Sequence, residues 1–224
     1  MTTPINQAAL FAALDVEAAD ALRASMMEIQ ARRGEVFFEQ GEPGDRMFVI
    51  MQGKITLSHR ADDGRETLLG VLGPGDMFGE LSVFDSGIRT AGAVALTDAR
   101  VLSLTRDQLR SWMMTRPEVA EKLLQALARR LRRTEDSMAD LIFCDVPARV
   151  AKALLDLADK FGTVNGGEML VVHDMTQEEL AQLVGASRET VNKALADFVS
   201  REWIRVEQKS VSILDLERLQ RRAR

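Results

Sequence analysis

Cysteine is nearly missing from this 224-residue chain: Cys144 stands alone. An internal disulfide needs a second thiol and a four-thiolate cluster needs three more, so both are excluded. Histidine is almost as scarce. His59 and His173 lie far apart in sequence, which speaks against a zinc site, and no metal is expected. No apolar run approaches the roughly 18 residues of a membrane span, so no membrane partner is expected. The N-terminus lacks a basic patch followed by an apolar core. No signal peptide is therefore expected, and a cytoplasmic protein follows. Low-complexity segments and internal repeats are absent as well. What remains is 46% hydrophobic and 28% charged, ordinary for a soluble globular protein with one large core or two modest ones.

The net charge of −5 argues at first against a nucleic-acid partner. Its distribution softens that argument. From Val146 onward there are twelve Lys and Arg against twelve Asp and Glu, so the acidity lies in the first part. A neutral C-terminal part can bind DNA if its cations share one face.

Texture changes along the chain. Leu10, Phe11, Leu14, Leu22, Met26, Met27 and Ile29 stand at helical spacing, predicting short helices over 5–30. Between Gly34 and Gly92 fall eleven of the fifteen glycines. They separate short segments at 35–39, 47–51, 54–59 and 66–72, with 93–96 and 100–104 beyond, whose Phe48, Ile50, Ile55, Leu57, Leu68 and Val71 suit half-buried strands. Asp63-Gly64 and Pro74-Gly75 signal turns. The pattern predicts a jelly roll or small barrel. Asp107 is placed to cap a short helix, and a long one runs from 117 to about 144. Within it Leu124, Leu127, Leu131, Thr134, Met138 and Leu141 alternate spacings of three and four, the seam of a coiled coil, with four arginines on its flanks. A homodimer axis is the expectation; the plainer reading is a core helix of its own domain.

After a hinge at 145–147, Asp145 can cap a helix over 147–160, and 162–167 reads as a loop. From Thr176 the run TQEELAQLVGASRETVNKAL has the spacing of a helix-turn-helix. Thr176 and Glu179 form a capping box, small Ala181 sits where two helices touch, and Gly185 occupies the turn. The second helix presents Arg188, Glu189, Asn192 and Lys193 on one side. Arginine can pair with guanine O6 and N7, and glutamate can accept from cytosine N4. Ser187 and Thr190 hydroxyls suit phosphates. Segments 203–206 and 211–214 predict a two-stranded wing. A double-stranded DNA partner follows. Two such readers on a dimer predict a palindromic operator with half-sites about 34 Å apart.

A second constellation is Phe78-Gly79-Glu80-Leu81-Ser82-Val83-Phe84 followed by Arg89-Thr90. Gly79 permits close backbone approach, and Arg89 with the Thr90 hydroxyl can hold a phosphate. Glu80 cannot serve a phosphate but can accept from sugar hydroxyls. Spacing alone equally allows Glu80 and Arg89 to be a structural ion pair.

These motifs, in this order, resemble the cAMP receptor protein family, the cyclic-nucleotide branch of the CRP/FNR transcription regulators. The likeness is strongest at 78–81 with Arg89-Thr90, at 128–131 and at 176–195, and it spans nearly the whole chain. It implies an α+β protein: a β jelly-roll cyclic-nucleotide-binding domain over 1–116, a dimerisation helix and hinge over 117–145, and a winged helix-turn-helix over 146–224. It implies cAMP as allosteric ligand, with Gly79, Glu80 and Leu81 at the ribose, Arg89 and Thr90 on the cyclic phosphate, and Leu57, Leu69 and Leu72 lining the pocket. Thr134 would meet adenine. Arg188, Glu189 and Lys193 fall at base-reading positions for a TGTGA-like half-site, Lys193 where arginine is commoner, and RNA polymerase is a further expected partner. Glu135 departs from the family's small neutral residue, which reaches the adenine bound by the partner subunit. Its carboxylate could accept from the adenine amino group, yet at about 8 Å from a bound anion it costs roughly 2 kcal/mol. Alternatively it points to solvent or pairs with an arginine one turn earlier. A non-enzymatic regulator is implied, cAMP-responsive or, with a vestigial site, ligand-independent.

Overall fold

The computed structural model describes residues 15–85 and 87–224. Their contacts divide into two compact units, one ending at Arg133 and the other spanning Thr134–Arg224. Leu10, Phe11 and Leu14, expected in a helix, lie outside the described residues.

In the first unit α1 (Val16–Ser25) is capped by Asp15, whose side chain accepts from the Ala18 amide. Eight strands follow: β1 (Met27–Ala31), β2 (Val36–Phe38), β3 (Arg46–Gln52), β4 (Ile55–Arg60), β5 (Glu66–Leu72), β6 (Met77–Phe78), β7 (Gly92–Ala95) and β8 (Ala99–Thr105), with the single-turn α2 (Leu81–Phe84) after β6. They pair antiparallel into two four-stranded sheets, β1-β8-β3-β6 and β2-β7-β4-β5. This is the expected roll. Met27 and Ile29 correct the helical reading. They stand on β1, which pairs with β8 along its whole length, so long-range pairing overrides a short apolar pattern.

Period-two alternation explains how one sheet serves two cores. From β3, Phe48 and Ile50 point between the sheets with Phe38, Ile55, Leu57, Phe78, Ala93 and Val101. Met47, Val49 and Met51 point the other way and meet Leu22 of α1, Leu109 of α3 (Arg106–Thr115), and Val119 and Leu123 of α4 (Pro117–Phe143). α3 is capped by Thr105, not Asp107. Thr105 and Gln108 form a reciprocal box, and Asp107 falls within the first turn. Beyond Leu123 several apolar residues of α4 face outward, Leu124 at 66% exposed, Leu131 at 60% and Met138 at 59%, while Leu127 is half-buried.

In the second unit α5 (Val146–Phe161) takes Asp145 as its cap. The stretch 162–167, expected as a loop, instead forms β9 (Gly162–Asn165), which pairs with β10 (Glu168–Val172) around Gly166 and Gly167, both with positive φ. Only one apolar side chain, Val164, lies in β9, so its strand character comes from backbone pairing. α6 (Gln177–Val184), α7 (Arg188–Ser200), β11 (Ile204–Glu207), β12 (Ser210–Ile213) and α8 (Leu216–Arg222) complete a winged helix with sheet order β11-β12-β10-β9. Charged clasps close its base. Arg222 reaches both Asp145 oxygens at 2.8 and 2.7 Å and holds that carboxyl below the usual carboxylate range, helped by the Ala148 amide. Arg149 donates to the Cys144, Val184 and Gly185 carbonyls, and Lys152 pairs with Asp140 near the end of α4.

Phe78 is the fully buried keystone of the inter-sheet core, stacked on Phe48 at 4.9 Å and edge-on to Phe37 at 5.3 Å. Phe78→Ala is expected to cost about 3–5 kcal/mol in urea unfolding, since the cavity cannot collapse between two paired sheets. A loss below about 1 kcal/mol would mean that the ring cluster does not organise the roll.

Candidate functional site

The site begins where β6 ends. Gly79 has φ +75°, a left-handed backbone open to glycine, and a Cβ there would lie 2.6 Å from Arg89 Nη1 and 3.2 Å from the Arg46 carbonyl. The absent side chain lets Arg89 reach the Gly79 carbonyl at 2.7 Å. Arg89 Nη1 also donates to Ser82 Oγ at 2.7 Å, and Nη2 to the Arg46 carbonyl at 2.8 Å. The Phe38 ring lies 4.0 Å below the guanidinium. Its backbone is stitched as firmly: the Arg89 amide donates to the Glu42 carbonyl, and the Arg89 carbonyl accepts from the Gly41 amide. Gly44 completes the close packing, for a Cβ there would fall 2.2 Å from Ser82 Oγ and 2.6 Å from Arg89 Nε.

Arg89 is only 5% exposed. Burial pushes its pKa below the usual arginine value, while Asp45 and Glu80 pull the other way. Glu80 is 2% exposed, and it does not pair with Arg89. Its Oε1 accepts from Arg130 Nη1 of α4 at 2.6 Å. Of the two readings that spacing left open, the closed Glu80–Arg89 ion pair is not the one formed: the two opposite charges are held by different partners. Each keeps one buried atom without a hydrogen-bond partner, Oε2 on Glu80 and Nε on Arg89. One is an acceptor and the other a donor. A ligand that brings a hydroxyl donor and an anionic acceptor matches both, so the residues fit a ribose joined to a phosphate.

The other residues predicted for the site differ widely in burial. Leu57 is buried and Leu72 half-buried in the inter-sheet core. Leu69 sits at a β-bulge, where the register shifts between Leu57 and Ser58, and its side chain is exposed. Leu81 and Thr90 are exposed, as are Thr134 and Glu135 on α4. Arg130 and Ser82 were not singled out from sequence. Arg130 was one of four arginines flanking the seam, and only its distance to Glu80 sets it apart. Among the described residues no group of three or more His, Cys, Asp or Glu could hold a metal ion, and no helix is long and apolar enough to cross a membrane.

The second predicted surface lies on α7. Ser187 caps it, accepting from the Thr190 amide at 3.2 Å and lying 2.8 Å from the Thr190 hydroxyl. Arg188, Glu189, Thr190 and Lys193 are exposed. Glu189 and Lys193 pair at 2.7 Å across one helical turn, a surface contact worth at most about 1 kcal/mol that a base edge can displace. Asn192 is only partly exposed, with Oδ1 buried and unpartnered. It is less open than the expected exposed face implied. Behind the helix Val191, Leu195 and Phe198 are buried, and the capping box at Thr176 and the left-handed Gly185 (φ +70°) set the turn as expected.

The buried carboxylate of Glu80 depends on its cation. Arg130→Gln should destabilise the first unit by up to about 3 kcal/mol, moderated because Arg130 keeps contact with water. Adding Glu80→Gln should recover roughly 0.5–3 kcal/mol of that in urea unfolding, the coupling of the pair. Strictly additive losses would show that the two side chains do not sustain each other.

Comparison with known proteins meets the two sites separately. Residues 28–116 match the family described as cyclic nucleotide-binding domain, and residues 148–222 the Crp-like helix-turn-helix domain. Over 220 residues, 98% of each chain, the protein is 58% identical to a CRP-like cAMP-activated global transcriptional regulator of Mycobacterium tuberculosis. It is 34% identical, over 81% of each chain, to a cyclic AMP receptor protein of Thermus thermophilus. A crystal structure of a CRP/FNR-family transcriptional regulator from Thermus thermophilus superposes with a TM-score of 0.74 at 28% identity, over 88% of this chain and 98% of that one. These relatives are regulators of transcription rather than enzymes. With a roll that matches the cyclic nucleotide-binding family and a winged helix following it in the chain, the protein belongs to the CRP/FNR family of DNA-binding transcription regulators.

Proposed function

We propose that the protein is a cAMP-responsive, homodimeric activator or repressor of transcription that reads a palindromic TGTGA-like operator. The observation that carries this reading is the pair of orphaned atoms in one cradle, Glu80 Oε2 and Arg89 Nε. Arg89 and Thr90 take the cyclic phosphate, Gly79, Glu80 and Leu81 the ribose with Glu80 on its 2′-hydroxyl, and Leu57, Leu69 and Leu72 the apolar surroundings. Thr134 and the partner subunit's copy of Glu135 serve the adenine. Helical spacing supports this, because Thr134 stands one turn beyond Arg130 on the same face of α4.

The exposed seam supports a dimer. Leu124, Leu131, Met138 and Leu141 form an exposed apolar stripe along α4, larger than a surface helix keeps in water. Two copies in register cover it and set two α7 helices side by side. Ligand that binds one packing of the paired rods better than another shifts their balance, a coupling typically of about 1–3 kcal/mol. Ser187, Arg188, Glu189, Thr190, Asn192 and Lys193 then meet DNA, and the complex works on RNA polymerase in the cytoplasm.

Arg89→Leu is expected to abolish cAMP binding in calorimetry and ligand-stimulated operator binding in gel shifts, with nucleotide-independent DNA affinity retained. Stimulation that survives this change removes the cradle as the sensor. Arg188 is exposed at the start of α7, so Arg188→Ala should lower operator affinity by roughly 1–3 kcal/mol and relax choice at one guanine. An equal fall on every sequence would reduce Arg188 to a phosphate contact.

A further inference from the structure

The proposed phosphate group, Arg89, does not stand alone in its corner of the roll. A second arginine lies behind it. Arg106 opens α3, where its amide donates to the Asp45 carbonyl at 2.8 Å. Its side chain turns back toward the roll, and Nη2 donates to the Ser82 carbonyl at 2.6 Å and the Gly44 carbonyl at 3.3 Å. Arg106 Nε is buried with no partner.

Ser82 is therefore gripped from two sides. Its hydroxyl accepts from Arg89 and donates to the Gly79 carbonyl at 3.1 Å, while its carbonyl accepts from Arg106. α2 is a single turn, too short to hold its own shape, since nucleation costs more than one or two internal bonds return. Something outside must fix it. Val83, at its centre, is anchored in the helix-side core, and Arg106 places a cation on one of its carbonyls. A bond from a charged donor to a carbonyl is about twice as strong as a neutral one.

We infer that Arg106 is a positioning residue of the cyclic-nucleotide site: by clamping α2 and the Gly44 turn against the start of α3, it sets Ser82 and the Gly79 carbonyl where they aim the Arg89 guanidinium at the ligand's phosphate. It touches no ligand itself. The clamp also ties α3 to α2, and α3 passes into α4 through the single residue Arg116. This inference rests on the proposed nucleotide site, but its structural half stands on the protein alone.

The experiment therefore has two readings, taken on the full-length wild type, Arg106→Met and Arg106→Lys. Hydrogen–deuterium exchange without nucleotide follows the amides of 79–85, among them Val83, Phe84 and Asp85, which donate to the Glu80 and Leu81 carbonyls. Arg106→Met should speed their exchange tenfold or more while the amides of β3 and β8 keep their protection. Calorimetry with the two phosphorothioate diastereomers of cAMP, which carry sulfur in place of one or the other non-bridging oxygen, follows aim. Arg106→Met should weaken cAMP at least tenfold and shrink the preference between diastereomers, and Arg106→Lys should restore part of both.

Unchanged exchange at 79–85 overturns the clamp. Faster exchange with unchanged cAMP affinity, or weaker binding with the diastereomer preference intact, overturns the positioning role and leaves a structural bond. If the wild type gives no heat with cAMP, the nucleotide reading fails, and exchange alone still decides whether Arg106 holds α2.

Discussion

A guanidinium almost wholly withdrawn from water is the constraint around which the first unit is arranged. Burying the Arg89 charge costs several kcal/mol, and the protein offsets it with two backbone carbonyls, one hydroxyl and an aromatic face. Each of those partners requires something of the chain. The Gly79 carbonyl is reachable only because Gly79 has no side chain, and Gly44 must be bare for the same guanidinium to fit. Phe38 belongs to the inter-sheet core, so the cation is seated on the same cluster that holds the two sheets together. Still the offset is incomplete, because Nε is left over. Natural proteins rarely leave a buried donor unmatched, and where they do a ligand is a physical reason for it.

Glu80 repeats the logic with opposite sign. Its carboxylate is satisfied on one oxygen by an arginine from α4, and the other oxygen is left over. Acceptor and donor stand in one cradle, and one of them is tied directly to the long helix. That tie gives the helix a stake in whatever happens to the carboxylate: a hydroxyl that donates to Glu80 competes with, or adds to, the bond from Arg130. Within the second unit charged side chains tie the helices to one another. Arg149 joins the end of α4 to the turn of the helix-turn-helix, and Arg222 fastens α8 to the cap of α5. α7 is thus displayed from a braced base.

Much of this was legible in the chain itself, and for local reasons. Positive-φ turns demand glycine, so Gly34, Gly41, Gly53, Gly64 and Gly75 punctuated the roll in sequence as they do in space. Capping boxes are short-range, so Thr176 with Glu179 announced α6 without help from the rest of the fold. What escaped was long-range. β1 looked helical because its partner β8 lies far along the chain, and β9 looked like a loop because pairing, not composition, makes it a strand. The protein partner of Glu80 escaped for the same reason. Spacing put Arg89 within reach, whereas the fold brings up Arg130, 50 residues further on. Arg106 carries no motif, and only the direction in which its side chain turns gives it a role.

On the proposed reading, the two leftover atoms, one on each buried charge, meet the two ends of one ligand: a sugar hydroxyl and a cyclic phosphate. Calorimetric titration of the full-length protein with cAMP and with 2′-deoxy-cAMP tests this claim most directly, since the two ligands differ only in the hydroxyl assigned to Glu80 Oε2. Losing a hydrogen bond to a charged group costs roughly 1.5–3 kcal/mol, so the deoxy ligand should bind about ten- to a hundredfold more weakly. Equal affinity for both ligands, or no heat with either, would contradict the account.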